Sequence, residues 1–161
     1  MLRALILTGL LALGGAAPAL AQTVTFGGMR ADTSAPVEVT ADSLRVDQAT
    51  GQAVFTGNVL IGQGDMRLSA ATVTVVYGDG GQQRIKTLDA SGGVTLVSGG
   101  DAAEAGAAVY DIESGNVVLT GDAIVTRGDS VLAGDRIEVN LKDGTAAVSG
   151  RVRSVLQPGQ N

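Results

Sequence analysis

The sequence predicts an all-β fold on three observations. Val, Ile and Thr alternate with polar residues along most of the chain, and no helical period appears beyond the N-terminal segment. Glycine, 24 of 161 residues, interrupts the alternation at short intervals. A template also recurs: Gln52-Ala53-Val54-Phe55-Thr56-Gly57-Asn58-Val59-Leu60-Ile61 lines up with Asn116-Val117-Val118-Leu119-Thr120-Gly121-Asp122-Ala123-Ile124-Val125. The same template falls on Thr87 to Leu96 around Gly92 and on Thr145 to Ser154 around Gly150. The four central glycines define a unit of about 29 residues. The longer first interval is placed in the Gly-rich turn Gly78-Asp79-Gly80-Gly81-Gln82-Gln83, where a surface hairpin tolerates insertion.

Residues 1–21 stand outside this pattern. Arg3, the apolar run Ala4 to Leu13 and the small-residue site Ala19-Leu20-Ala21 make up a secretory signal peptide with cleavage expected after Ala21. The run is shorter than the roughly 20 residues of a membrane-spanning helix, and no Cys follows it to carry a lipid. Residues 22–35 are polar and aperiodic and read as a flexible leader. Residues 36–156 form one β domain, and residues 157–161 a flexible tail.

Each strand then follows in order. The first is expected over Val37, Val39 and Ala41, with Leu44 and Val46 after a slip of one residue in the alternation. The second places Ala53, Phe55, Gly57, Val59 and Ile61 on one face. The third has Met66, Leu68 and Ala70, a slip, then Val73, Val75 and Tyr77; the fourth has Leu88, Ala90, Gly92, Val94 and Leu96. The fifth runs through Ala103 and Ala105, slips, and continues through Ala108, Tyr110 and Ile112. The sixth carries Val117, Leu119, Gly121, Ala123 and Val125, and the seventh Leu132 and Gly134, a slip, then Ile137, Val139 and Leu141. The eighth, with Ala146, Val148, Gly150, Val152 and Ser154, is weaker, and Arg151 and Arg153 lie on its opposite face.

A central glycine can take a bent backbone, so each template reads as one long strand folded at its middle. A slip midway along a strand is what a β-bulge produces, and a bulge bends the strand that carries it. Bulged strands would therefore alternate with Gly-bent ones in a V-shaped antiparallel stack of eight strands. Seven turns join them, around Gly51, Gly64, the Gly78 to Gln83 loop, Gly99, Gly115, Gly128 and Gly144. At about 4.8 Å between strands the stack would be roughly 35–40 Å long, with arms some 15 Å deep. The first and last strands would be exposed edges, with Val37, Val39, Val148 and Val152 as the expected contacts for edge pairing.

Composition narrows the chemistry. There is no Cys and no His, so disulfides, thiolate or His metal sites and His-based triads are excluded. The net charge is −5, and removing Arg3 with the signal peptide makes it more negative. Nucleic acid is disfavoured by that charge and by an aromatic content of 2%, which cannot build a stacking platform. The carboxylates lie on polar faces and turns with no motif pairing them for acid and base work, so no catalytic residue, metal or cofactor is expected. Arg127-Gly128-Asp129 spells an adhesion tripeptide but falls where each unit has a turn, and reads as a hairpin tip. The Gly78 to Gly81 run occurs once and lacks the regularly placed carboxylates of a calcium repeat.

Several segments then carry a resemblance: Val37-Glu38-Val39-Thr40-Ala41-Asp42-Ser43-Leu44, Phe55-Thr56-Gly57-Asn58-Val59, Gly62-Gln63-Gly64-Asp65 followed by Leu68, Val109-Tyr110-Asp111, and Leu119-Thr120-Gly121-Asp122. In their order and spacing they resemble the OstA-like or LptA family of periplasmic lipopolysaccharide-transport bridge proteins of Gram-negative bacteria, over about residues 36 to 155. The resemblance implies a bent β-jellyroll, or β-taco, of about eight long bent strands, counted as about sixteen half-strands. It also implies an apolar interior for the lipid A acyl chains, edge-to-edge homo-oligomers, and inner- and outer-membrane transport partners with similar domains. The groove would then be lined by Val39, Leu44, Val46, Phe55, Val59, Ile61, Leu68, Val73, Val75, Tyr77, Leu88, Val94, Leu96, Tyr110, Ile112, Val117, Leu119, Val125, Leu132, Ile137, Val139 and Leu141. An interior poor in aromatics departs from the family and implies a wider or less adhesive groove. By pattern alone the apolar stripe fits a closed packed sandwich better than an open lipid groove, and the resemblance reverses that order. The carrier is therefore set against a structural or adhesive β-repeat filament with no lipid, and against a carbohydrate-active enzyme, which lacks exposed aromatics for sugar stacking.

Overall fold

The computed structural model describes residues 23–24, 29–79 and 84–157. The expected signal peptide lies outside the described residues, as do residues 80–83 of the inserted turn and 158–161 of the tail. Among the described residues, eleven strands make one antiparallel sheet. They are β1 (Thr23–Val24), β2 (Glu38–Thr40), β3 (Ser43–Asp47), β4 (Gln52–Gln63), β5 (Met66–Tyr77), β6 (Ile85–Ser98), β7 (Asp101–Asp111), β8 (Asn116–Arg127), β9 (Ser130–Asn140), β10 (Thr145–Ser149) and β11 (Arg153–Val155). β4 to β9 pair with their chain neighbours in series, as expected from the repeat. The expected first strand is divided into β2 and β3, which both pair with β4, and the expected last into β10 and β11, which both pair with β9. At the corner itself each end strand has a described neighbour on one side only, and it lets go of the ladder there. Single bonds remain there, from Asp42 N to Gly57 O at 2.9 Å and from Asp135 N to Gly150 O at 2.8 Å.

The glycines do turn the corner, in pairs with the residue that follows. Gly57 and Asn58 have φ of 82° and 45°, Gly121 and Asp122 80° and 50°, and Gly92 and Gly93 81° and 85°. Gly, Asn and Asp are the residues that take this left-handed backbone at least cost. Arg151 follows Gly150 with φ 44°, and its guanidinium Nε and one terminal nitrogen donate to Asp135 Oδ1 at 2.9 and 2.6 Å.

The register corrects the expected position of the bulges. Thr56 pairs with Thr72 and Val59 with Ala70, so Gly57 and Asn58 stand opposite the single residue Ala71. Gly92 and Gly93 likewise face Gly106, and Gly121 and Asp122 face Asp135. The extra residue thus belongs to the glycine strands. The slip in their neighbours arises because one residue spans the corner there, leaving Ala70 and Val73 both inward and buried. A Cβ on Gly92 would lie 2.7 Å from the Ala71 Cβ, so small residues are needed on both sides of the corner.

Each long strand, β4 to β9, contributes one half to each arm of the V. The first arm holds β3, the Gln52 half of β4, the matching halves of β5 to β9, and then β10 and β1. The second holds β2, the Gln63 half of β4, the other halves, and β11. The inner faces of the two arms form one apolar core.

The described parts of the segment read as a leader pair with the sheet. β1 pairs with β10, Thr23 to Ala147 and Val24 to Ala146, and Ala31 N donates to Leu141 O at 3.1 Å. Its sequence spells no strand because these bonds need only backbone, so no alternation marks it. The edge at β10 is therefore occupied at Ala146 and Ala147 rather than free. Val37, Val39 and Val148 turn their side chains partly into the core, leaving backbone as what the edge offers, whereas Val152 is exposed. Arg127-Gly128-Asp129 does fall at the hairpin between β8 and β9.

Candidate functional site

The inward side chains line up across the sheet in rows. In the first arm, Phe55, Val73, Ala90, Ala108, Leu119, Ile137 and Val148 are successive partners, with Leu44 before Phe55. Beside them run Val46, Ala53, Val75, Leu88, Tyr110, Val117, Val139 and Ala146. In the second arm the row is Val39, Ile61, Leu68, Leu96, Ala103, Val125, Leu132 and Ser154. These rows contain most of the stripe expected from the sequence, and Val59, Val94 and Leu141 are buried with them.

Along most of the stack the arms close on each other. Val59, Ile61, Leu68, Val73, Val75, Leu88, Val94, Leu96, Tyr110, Val117, Leu119, Val125, Leu132, Ile137, Val139 and Leu141 are at most 2% exposed. The N-terminal end is different: Leu44 is 55% and Val46 49% exposed, while Phe55 and Tyr77 are only partly covered, as is Ile112 just past β7 in mid-stack. The interior is thus a sandwich closed along its middle, with the strands β3 at one end and β11 at the other exposed.

At the rim of the second arm the inner face becomes polar, which the alternation did not reveal. Gln63, Ser98 and Asp101 are buried. Gln63 Nε2 donates to Thr33 O and Ala35 O, both at 3.0 Å, and Ser98 Oγ donates to Arg30 O at 2.5 Å. From the facing arm, Tyr110 donates its phenolic hydrogen to Gln63 Oε1 at 2.6 Å. Among the described residues Asp101 accepts no hydrogen bond at either oxygen, and Arg127 Nε stands 3.6 Å away. Met29 lies in the mouth at 1% exposure. In sequence Gln63 and Ser98 looked like turn residues and Met29 like part of a loose leader; only the fold aims them at one another.

Burial pushes the Tyr110 phenol up to about 12, and the Asp111 charge adds to the shift. The unfolded chain releases that proton near pH 10 and the folded protein only near 12, so between these values the unfolded state is favoured as pH rises. A loss of about 2–3 kcal/mol is expected across that window. Tyr110→Phe should lack this part of the alkaline loss, as measured by denaturant titration at pH 9 and 12.

Residues 38–145 match the family model described as LptA/(LptD N-terminal domain) LPS transport protein. The lipopolysaccharide export system protein LptA of Escherichia coli K12 is 30% identical over 151 residues, covering 88% of this chain and 81% of that protein. The chain belongs to this family. An uncharacterised protein of Rhizobium meliloti, R00383, is 31% identical over 155 residues, 89% of this chain and 83% of its own length. Among solved structures, LptH of Pseudomonas aeruginosa superposes with a TM-score of 0.72 at 23% identity, covering 80% of this chain and 99% of LptH. LptH is described as the LptA-homologous periplasmic component of the lipopolysaccharide transport device. That likeness gives the fold, an unclosed β-jellyroll of the LptA kind, and agrees with the corner-by-corner reading above.

Proposed function

We propose that this protein is a periplasmic carrier that takes the acyl chains of lipopolysaccharide between its arms and passes the lipid along a bridge from the inner to the outer membrane. The observation that carries this reading is the set of apolar rows, which cross every long strand from the β3 end at Leu44 and Phe55 to β9 and β10. A sheet that bends but does not close can admit a chain between its arms by flexing at the glycine corners. At roughly 25 cal/mol per Å², an acyl chain burying some 300 Å² gains about 7 kcal/mol before entropic costs, so binding needs no charged contact. This suits a net charge of −5, which gives no long-range attraction to an anionic lipid. Among the described residues, backbone at β2 and β3, and at the far end beyond the residues covered by β1, has no partner on its outer side, which supports head-to-tail pairing with further copies and with membrane-bound partners of the same fold.

The closed packing of the arms favours a second reading, a β-repeat filament with a dry core. Lipid extracted from protein purified out of periplasm and identified by mass spectrometry separates the two. Lipid A in stoichiometric amount supports the carrier, and its absence after purification without detergent supports the filament.

A further inference from the structure

The mouth of the V is crossed by a segment of the chain itself. Residues 29–35 reach from the first arm to the second. Ala31 N bonds to Leu141 O, and the Arg30 guanidinium donates to Asp143 O at 3.1 Å, on one side; the Arg30, Thr33 and Ala35 carbonyls accept from Ser98 and Gln63 on the other. Met29 fills the space beneath. The polar positions on the inner face at the rim are thus the ones that hold the strap. We propose that residues 29–35 are a displaceable latch, so that lipid enters the interior only when this segment leaves the mouth. The proposal rests on the carrier reading and adds its control.

The construction favours a latch over a permanent seam. Its bonds run through backbone carbonyls, the Ala31 amide and the Arg30 guanidinium, with Met29 and Ala31 against a core of large aliphatic rows. Beside Ser98 at the same rim, Asp101 is buried with neither carboxylate oxygen hydrogen-bonded among the described residues and with Arg127 Nε 3.6 Å away, a cost that water entering an opened mouth would relieve. The closed state is therefore held by weak bonds beside a poorly solvated carboxylate, which favours release.

The chain has no Cys, so Arg30→Cys and Asp143→Cys can carry a pair of spin labels without background. In lipid-free protein the pair should report one short distance. Purified lipopolysaccharide should replace it by a longer one in proportion to bound lipid, and Met29→Gln should lower the lipid needed for half conversion severalfold. An unchanged distance at saturation with lipopolysaccharide overturns the latch. Asp101→Asn should raise the lipid needed for half conversion; no change overturns the role given to that carboxylate. Should lipopolysaccharide fail to bind at all, the carrier reading falls and the latch is decided separately, by removing residues 22–35 and adding anilinonaphthalene sulfonate. A rise in dye fluorescence of tenfold or more over the intact mature chain keeps the latch as the cover of the apolar interior, and equal fluorescence overturns it.

Discussion

Leu119→Asp is expected to unfold the protein, and Leu44→Asp to leave it folded while weakening lipid capture at least tenfold. The two leucines sit in the same inward row at different depths. Leu119 is fully buried between Ala108 and Ile137, whereas Leu44 is 55% exposed at the β3 end. A carboxylate at Leu119 forfeits the burial of a leucine, about 2–3 kcal/mol, and adds several more for an unpaired polar group in the core. That sum approaches the whole stability of a typical domain, about 5–15 kcal/mol. At Leu44 the charge remains in water, so the melting temperature should hold within a few degrees. Acyl chains entering between the arms would meet that charge first, so co-sedimentation with lipopolysaccharide should drop. An undiminished yield for Leu44→Asp would place the entrance elsewhere.

Proline at Arg45 and at Val46, tested separately, should abolish head-to-tail assembly in one variant without loss of stability. In an antiparallel edge strand successive residues turn their N–H groups alternately toward the neighbour and away from it. Arg45 pairs with Val54 and Val46 with Ala53, so one of the two prolines removes a bond to β4, costing about 3 kcal/mol, and the other removes only an outward donor. Sedimentation over a range of concentrations should show the outward variant as a monomer with the melting temperature of the parent. Assembly by both variants at the parent's level would show that copies do not pair through β3.

The strands were legible because this fold writes its two faces into a period of two, and a slip in that period cannot hide. Val73 and Val75 following Ala70, or Ile137 and Val139 following Gly134, mark the corner in the sequence as clearly as in the sheet. Which strand carries the extra residue was not legible. A glycine in phase with its neighbours, as Gly57 is with Phe55 and Val59, looks like an uninterrupted strand although two left-handed residues stand there. Residues 29–35 stayed hidden for another reason: backbone carbonyls hold them, and these are the same in every sequence. Gln63, Ser98 and Asp101 stand next to turn glycines, where polar residues are ordinary, and only the bent sheet turns them inward. The state of the interior depends on how closely the arms approach, which alternation along single strands does not encode.

In a carrier that holds lipid between its arms, the inward face, and not the outward one, meets lipid. Phe55 and Val54 are neighbours on β4; Phe55 is partly buried in the inward row beside Leu44 and Val73, and Val54 faces out between Arg45 and Thr74. A photo-crosslinking amino acid at each position, irradiated in cells, tests this most directly. Capture of lipopolysaccharide from position 55 and not from position 54 is the predicted result; equal capture at both, or none at either, would contradict it.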